Sequence, residues 1–375
     1  MRLLRLVTAC VVTAALAGSA QEAAKKKKKK SDELPNQTLE LLKDPPVALA
    51  AETRRLVFHV SPLSGKGLLS QQMREALKAL SRSVGNSTIV RLRGFVAGTG
   101  DVRRVQAIVS ETFGDRNLPL PTLSVVQVGG LPMEGAQVFL ESISVARKEV
   151  NPAGLAFISG QANTSDNPLA PAADLARKSL DNLRAAVRGV GSEPSDVARV
   201  GCFMSTLEDV DAVRGMFAAE YPRAAMSFVQ VQRAPSRGIV ECEAVAKLRT
   251  PASGDVEVRS PDGLPRSPNY SQVALVSAPR IVLTGSQVAF GFQEADARLA
   301  FQRLGKALES VNASLKDVAF ASFYPVSGPI SHQVIQIRKE FYDMTRPPAT
   351  TNLPFEGLPS LDASFGVDVV AILRK

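Results

Sequence analysis

Apolar residues along this chain keep two rhythms, and the pair of rhythms occurs three times. Met73, Leu77, Leu80 and Val84 fall at i, i+4, i+7 and i+11, which places all four on one face of a helix. Ala176, Leu180, Leu183 and Val187 keep that spacing, and so do Ala297, Phe301, Leu304 and Leu308. Each stretch is closed by residues suited to a helix end: Gly85-Asn86, Gly189 with Gly191, and Val311-Asn312. Short runs rich in β-branched and aromatic residues surround each one, the composition expected of strands.

The order of elements repeats as well. In a first module, 51–147, strands are predicted at Leu56 to Val60, Ile89 to Val96, Leu123 to Val128 and Val138 to Val145, with a second helix over Val105 to Phe113. In a second module, 148–249, strands are predicted at Leu155 to Ser159, Val197 to Met204, Met226 to Gln232 and Ile239 to Ala246. Its second helix carries Val210, Val213 and Phe217 behind a capping box of Thr206 and Asp209. In a third module, 267–375, Asn269 to Gln272 opens a strand, followed by strands at Ile281 to Thr284, Val318 to Tyr324 and Phe365 to Leu373 and a helix near Val334 to Tyr342. Helix-end valines at 84, 190 and 311 precede prolines at 132, 235 and 359 by 48, 45 and 48 residues. This agreement of order and punctuation argues for internal triplication of an α+β unit. Residues 250–266, rich in Pro, Gly and Ser, read as a linker.

Charge changes the picture only at the N-terminus. Residues 1–30 hold eight basic residues and one acid, so the net charge of +9 falls to 37 basic against 35 acidic residues, or +2, for the rest. Basicity is a tail rather than a face, and aromatic content is 5% with no Trp, which argues against nucleic acid as a partner. Arg2 and Arg5, an apolar run from Leu6 to Leu16 and small residues to Ala20 read as a signal peptide over 1–20, implying export to a periplasmic or extracellular space. The run is too short to span a membrane, and a lipoprotein reading of Cys10 leaves almost no apolar core before it. Residues 21–50, with the Lys25 to Lys30 run, read as a solvated linker. Cys202 and Cys242 lie in apolar strand-like runs, where buried inert thiols are the default and a disulfide is the alternative. His59 and His332 stand alone, and no spacing indicates a metal or cofactor.

The second module resembles the RidA family, also called YjgF and endoribonuclease L-PSP-like, through Phe157-Ile158-Ser159-Gly160-Gln161, Ser179 to Leu183, Ser227 to Val231 before Pro235, and Val240 to Ala246. The third module is similar through Tyr270-Ser271-Gln272 and Ser286-Gln287, and the first mainly through element order and Val125 to Pro132. The resemblance implies a chorismate-mutase-like fold, homotrimers with ligand clefts between subunits, and here a monomeric chain whose three modules form an intrachain pseudo-trimer.

Relatives of this kind hydrolyse reactive enamines and imines and hold the substrate carboxylate with an arginine at the start of the strand before the late proline. Guanidinium suits that task because its planar donors meet a carboxylate bidentately. Leu123, Met226 and Thr350 occupy those positions. Losing two charged hydrogen bonds at ~1.5–3 kcal/mol each leaves at most a slow residual reaction. The resemblance makes Glu241 the catalytic candidate and Ser159, Gly160 and Tyr270 cleft residues, and it offers Arg214, or Arg223, as a substitute guanidinium. By the period of two, Glu241 and Glu243 share a face, so a pair of solvated or interface-paired carboxylates is the plainer reading beside the cleft role. The expectation is a binder of a small polar or carboxylate-bearing metabolite, with an active deaminase using relocated groups, or a structural pseudo-trimer, as alternatives.

Overall fold

The computed structural model describes residues 42–98 and 102–374. The expected signal segment, Cys10, the Lys25 to Lys30 run and residues 21–41 of the expected linker lie outside them. Three mixed sheets make the fold, and each is covered on one face by two helices.

In the first, β2 (Leu56–Val60), β5 (Val138–Val145), β3 (Thr88–Ala97) and β4 (Thr122–Val128) lie side by side in that order. Helices α1 (Leu69–Val84) and α2 (Arg104–Gly114) cover it. The second has β6 (Leu155–Ser165), β9 (Gly238–Lys247), β7 (Val197–Met204) and β8 (Ala225–Gln230), with α3 (Ala172–Gly189) and α4 (Val210–Glu220). The third has β12 (Arg280–Thr284), β16 (Ala363–Ile372), β14 (Val318–Pro325) and β15 (Ala349–Asn352), with β13 (Gln287–Phe290) also on β16 and with α5 (Glu294–Glu309) and α6 (Gly328–Ile337). Met73, Leu77, Leu80 and Val84 face the first sheet, as the spacing predicts, and their counterparts do the same in the other two.

Two strands depart from the expected boundaries. β1 (Ala48–Glu52) falls partly in the expected linker and precedes β2, yet it pairs with β12 of the third sheet, Leu49 opposite Leu283. The strand expected to open at Asn269 begins instead as β11 (Val273–Val276) and joins the second sheet, Ala274 opposite Phe157. Residues 250–266 are not all linker either, since β10 (Val256–Arg259) extends the second sheet through β11. Each of β1 and β11 is separated from the next strand by three residues, 53–55 and 277–279. Both therefore cross between sheets at a sharp corner rather than folding back as hairpins.

Smaller expectations also shift. The capping box at Thr206 and Asp209 does not form: Thr206 accepts from the Glu208 N–H and Asp209 from the Ala173 N–H. The last helix starts earlier, at Gly328, because Ser327 caps it and Pro329 fits its first turn. Its Arg338–Glu340 end tightens into a 3-10 turn. Cys202 and Cys242 sit directly opposite on β7 and β9 and are bonded, with a Cα–Cα distance of 4.1 Å, so they are not the free thiols taken as the default.

The faces of the three sheets away from the helices meet one another. One shared apolar cluster includes Phe58, Phe157, Leu283 and Phe320, and another Phe95, Phe139, Phe203, Tyr324 and Phe355. Each such aromatic contributes about 1.5–3 kcal/mol by its burial.

Charges are buried within this contact too. Glu141, Glu243 and Asp368 stand at matching places on β5, β9 and β16, opposite Arg93, Gly201 and Ser322. Arg93 bonds Glu141 through Nε (2.8 Å) and Glu243 through Nη2 (2.8 Å), Arg199 bonds Glu243 (2.6 Å) and Glu141 (3.0 Å), and Arg91 bonds Asp368 (2.5 Å). The hydroxyls close a cycle: Ser227 of β8 donates to Glu141 of the first sheet, Thr351 of β15 to Glu243 of the second, and Ser124 of β4 to Asp368 of the third. Gly201 leaves room for Arg199, whose Nη2 lies 2.7 Å from where a β-carbon would stand. Burial pulls the Arg93 guanidinium down, but Glu141, Tyr324, Glu243 and Asp368 together hold it well above its ordinary value.

Three guanidinia thus balance three carboxylates out of water, and removing one partner of such a set strands a charge. Glu243→Ala is expected to lower unfolding stability by about 3–5 kcal/mol, read from urea midpoints, whereas exposed Glu294→Ala, which pairs with Arg298, is expected to change it by less than about 1 kcal/mol.

Candidate functional site

The site takes shape where the second sheet meets the third. β6 bulges between Ile158 and Gln161, and that irregularity carries Ser159 and Gly160. Ser159 is fully buried. Its hydroxyl donates to the Ser271 carbonyl (2.6 Å) and accepts from the Thr350 N–H (2.7 Å). Its own N–H bonds the Gln272 carbonyl (2.9 Å). Both hydroxyl bonds go to backbone, so Ser159 ties the two units together at this point instead of presenting a hydroxyl. Gln161 completes the tie through Gln272 Oε1 (2.8 Å).

Gly160 is required by what faces it. A β-carbon there would collide with the Glu241 carboxylate. Glu241, on β9, is 5% exposed and receives the backbone N–H of Asn352 from β15 of the third unit. Burial and the charge of Glu243 push its carboxyl up to about 8, against the pull of the Asn352 N–H and of Arg237. Two residues along the same strand, Glu243 is 1% exposed and ion-paired. The shared face is as expected, and the surroundings divide the roles.

Tyr270 is half-buried beside this carboxyl. Its hydroxyl is raised by burial and by Glu241 and is lowered by a hydrogen bond with Gln272. Arg338, which no spacing rule marked, reaches the same junction from the end of α6. It is 3% exposed, and its Nη2 donates to the carbonyl of Asn269, the residue before Tyr270 (2.8 Å). About two helical turns earlier, Ser331 on the same face donates to Asn352 Oδ1 (3.3 Å). Among the described residues no carboxylate pairs with Arg338, and its Nε has no hydrogen-bond partner. The guanidinium rests on the Phe323 ring, 5.3 Å from its centroid, and burial lowers its proton affinity while Tyr342 and Tyr270 raise it. Only its position as a basic residue near a helix end could have flagged it.

The other expected residues lie elsewhere. Met226 packs on the core of the second unit, on a strand that neighbours β2 of the first. Residue 350, not 226, is therefore the arginine-equivalent position at the Glu241 junction. Arg214 does not reach it, for it pairs with Asp211 (2.8 Å) and lies over Phe228 on a half-exposed helix face. Arg223 borders the junction of the first and second units. Where the first and third units meet, Ser286 N–H bonds the Leu123 carbonyl (3.3 Å) beside a cleft of about 390 Å³ whose walls include Leu123, Val125, Val288 and Phe290, with Arg103 at its rim.

Chemically, the Glu241 junction offers a carboxyl neutral for the most part at pH 7, a phenol and an unpaired guanidinium. A group whose proton affinity lies near the working pH can both give and take a proton.

Comparison with known proteins follows the same division. Residues 147–248 match the family model described as Endoribonuclease L-PSP, and the second unit is a member of that family, also known as YjgF or Rid. No curated protein matches the chain. Similar solved structures include the YjgF-family protein NMB1025 of Neisseria meningitidis, at 14% identity over 32% of this chain and 97% of that one, TM-score 0.23. The Rid-family protein YyfB of Yersinia pestis has 18% identity over 32% and 100%, TM-score 0.28. TdcF of E. coli, solved with bound serine, has 20% identity over 27% and 93%, TM-score 0.22.

Because the folded state holds the Glu241 proton more tightly than the unfolded chain, its contribution to stability is complete below pH 4.5 and is lost as pH rises through about 8. Glu241→Gln keeps an acceptor for the Asn352 N–H without the ionisation. Melting temperatures are expected to match at pH 4 and to favour the variant increasingly from pH 6 to pH 9.

Proposed function

We propose that the chain is an exported protein of three tandem YjgF/Rid-like units arranged as a pseudo-trimer. In this reading it binds a small carboxylate-bearing metabolite at the junction of its second and third units. Arg338 holds the ligand carboxylate and Glu241 is the proton-exchanging group. The observation that carries the reading is the convergence of a buried carboxyl, Tyr270 and an unpaired buried guanidinium beside the Ser159–Gly160 bulge of the family-matching unit. Leu123, Met226 and Thr350 stand where the family's carboxylate-holding arginine is expected, so imine and enamine hydrolysis is slow or lost.

Arg338 favours binding over a purely structural role. A buried guanidinium with no acid is costly, and a ligand carboxylate relieves that cost with charged hydrogen bonds worth about 1.5–3 kcal/mol each.

Calorimetric titration of the full chain with pyruvate and other small 2-oxo acids tests the reading. Saturable binding is expected, with affinity about tenfold or more lower in Arg338→Met and a pH dependence that disappears in Glu241→Gln. Imino acids generated in situ should be hydrolysed slowly by the native chain and faster by Thr350→Arg. Binding that is indifferent to both Arg338→Met and Glu241→Gln refutes the assignment.

A further inference from the structure

Two of the three sheets carry a borrowed strand outside the first long strand of their unit. β11 lies on β6, continued by the bond from Ser159 N–H to the Gln272 carbonyl (2.9 Å), and β1 lies on β12, continued by the bond from Gly285 N–H to the Val47 carbonyl (2.8 Å). In the first sheet β2 holds the matching place: Phe58 is opposite Ile143 as Phe157 is opposite Val245 and Leu283 opposite Val370. Among the described residues no strand covers its outer edge.

The backbone of β2 defines which groups face out. The Arg55 carbonyl accepts from Ala146 N–H and Ser61 N–H donates to the Leu140 carbonyl, both toward β5. Alternation then turns Val57 and His59 toward β5 and leaves Leu56, Phe58 and Val60 facing outward. The Leu56 carbonyl accepts from the Asn151 side-chain amide (2.8 Å). Among the described residues nothing bonds the N–H or carbonyl of Phe58, or the N–H of Val60, across that edge.

A groove of about 170 Å³ runs beside these groups, walled by Val150, Val197 and Ala198 and bordered by Arg223 and Lys247. Ala198 corresponds in register to Ala319, which lies on the strand that β11 neighbours. Ala319 is fully buried, whereas Ala198 is half-exposed. The second unit supplies no strand of its own for this place. Only residues 146–154 separate β5 from β6, and the N–H groups of Val150 and Asn151 are tied to the Arg54 carbonyl.

We propose that the outer edge of β2 accepts an extended segment of a separate protein as an added antiparallel strand. The occupant carries small aliphatic residues followed by an acidic one. The in-chain occupants of the two sister edges, Val273 to Val276 and Ala48 to Glu52, set the size of the side chains and the antiparallel direction. Arg223 and Lys247 supply the complement to the acid. Main-chain hydrogen bonds give such a contact its affinity and the alternate side chains its selectivity.

The test uses the full chain and a fluorescent peptide Val-Ala-Leu-Ala-Ala-Glu, with a second peptide N-methylated at alternate residues so that it cannot complete the ladder. Anisotropy is expected to show saturable binding of the first peptide and binding weaker by about tenfold or more for the second. Ala198→Trp, which fills the groove, should abolish binding, and Arg223→Glu should weaken it. Hydrogen exchange at the Phe58 and Val60 amides should slow when the first peptide is added, which distinguishes this edge from displacement of β1 elsewhere. Equal binding of the two peptides overturns the proposal, as does the absence of saturable binding. Amides at Phe58 and Val60 already protected without peptide overturn it too, because a segment of the chain itself then lies there.

Discussion

The structure depends on burying charge between three sheets. Arg91, Arg93 and Arg199 face Glu141, Glu243 and Asp368 with almost no access to water. Ionic groups this far from solvent are tolerable only when every one is matched in sign and hydrogen-bonded. That requirement couples the units, because each carboxylate takes a hydroxyl from a different sheet. Apolar contacts alone would allow the sheets to slide, whereas a closed cycle of ion pairs and hydroxyls admits one registration. The rest of the inter-sheet geometry follows from it, including which strand ends meet at each junction.

The contrast between Glu241 and Glu243 shows how position selects chemistry. Both face the same way on one strand, and both are buried. Glu243 points at two guanidinia and serves assembly, while Glu241 meets a backbone N–H and a phenol and stays largely protonated near neutrality. A few ångströms along β9 separate a structural acid from a group fit for proton exchange. The neighbouring glycine belongs to the same arrangement, since anything larger at 160 would displace that carboxyl.

Much of this was legible in the residues. The spacing of Met73 to Val84 and of its two counterparts located the helices and their buried faces, and the Ser159–Gly160 and Glu241 motifs pointed to the unit that the family model matches. What escaped is non-local. Periodicity says which face of β11 is apolar but not which sheet receives it, so Val273 to Val276 read naturally as part of the third unit. The pairing of Glu241 with residue 350 rather than 226 depends on which units abut, and that is fixed by contacts more than a hundred residues apart. Arg338 was silent for a different reason: its meaning lies in the absence of a partner acid, which sequence does not display. Arg214 looked more promising and proved to be a surface residue.

The placement of β1 has a consequence for how the chain can reach its native state. Ala48 to Glu52 lies near the start of the described chain, yet its ladder is on β12, more than two hundred residues later. During synthesis that strand must wait unpaired until most of the polypeptide has emerged. Pairing across so long a loop is slow, so β1 docks late in folding although it is made early. The three units are consequently not separable cassettes. Excising the last one would leave β1 without its partner strand and would strip the second sheet of the edge that β11 forms on β6.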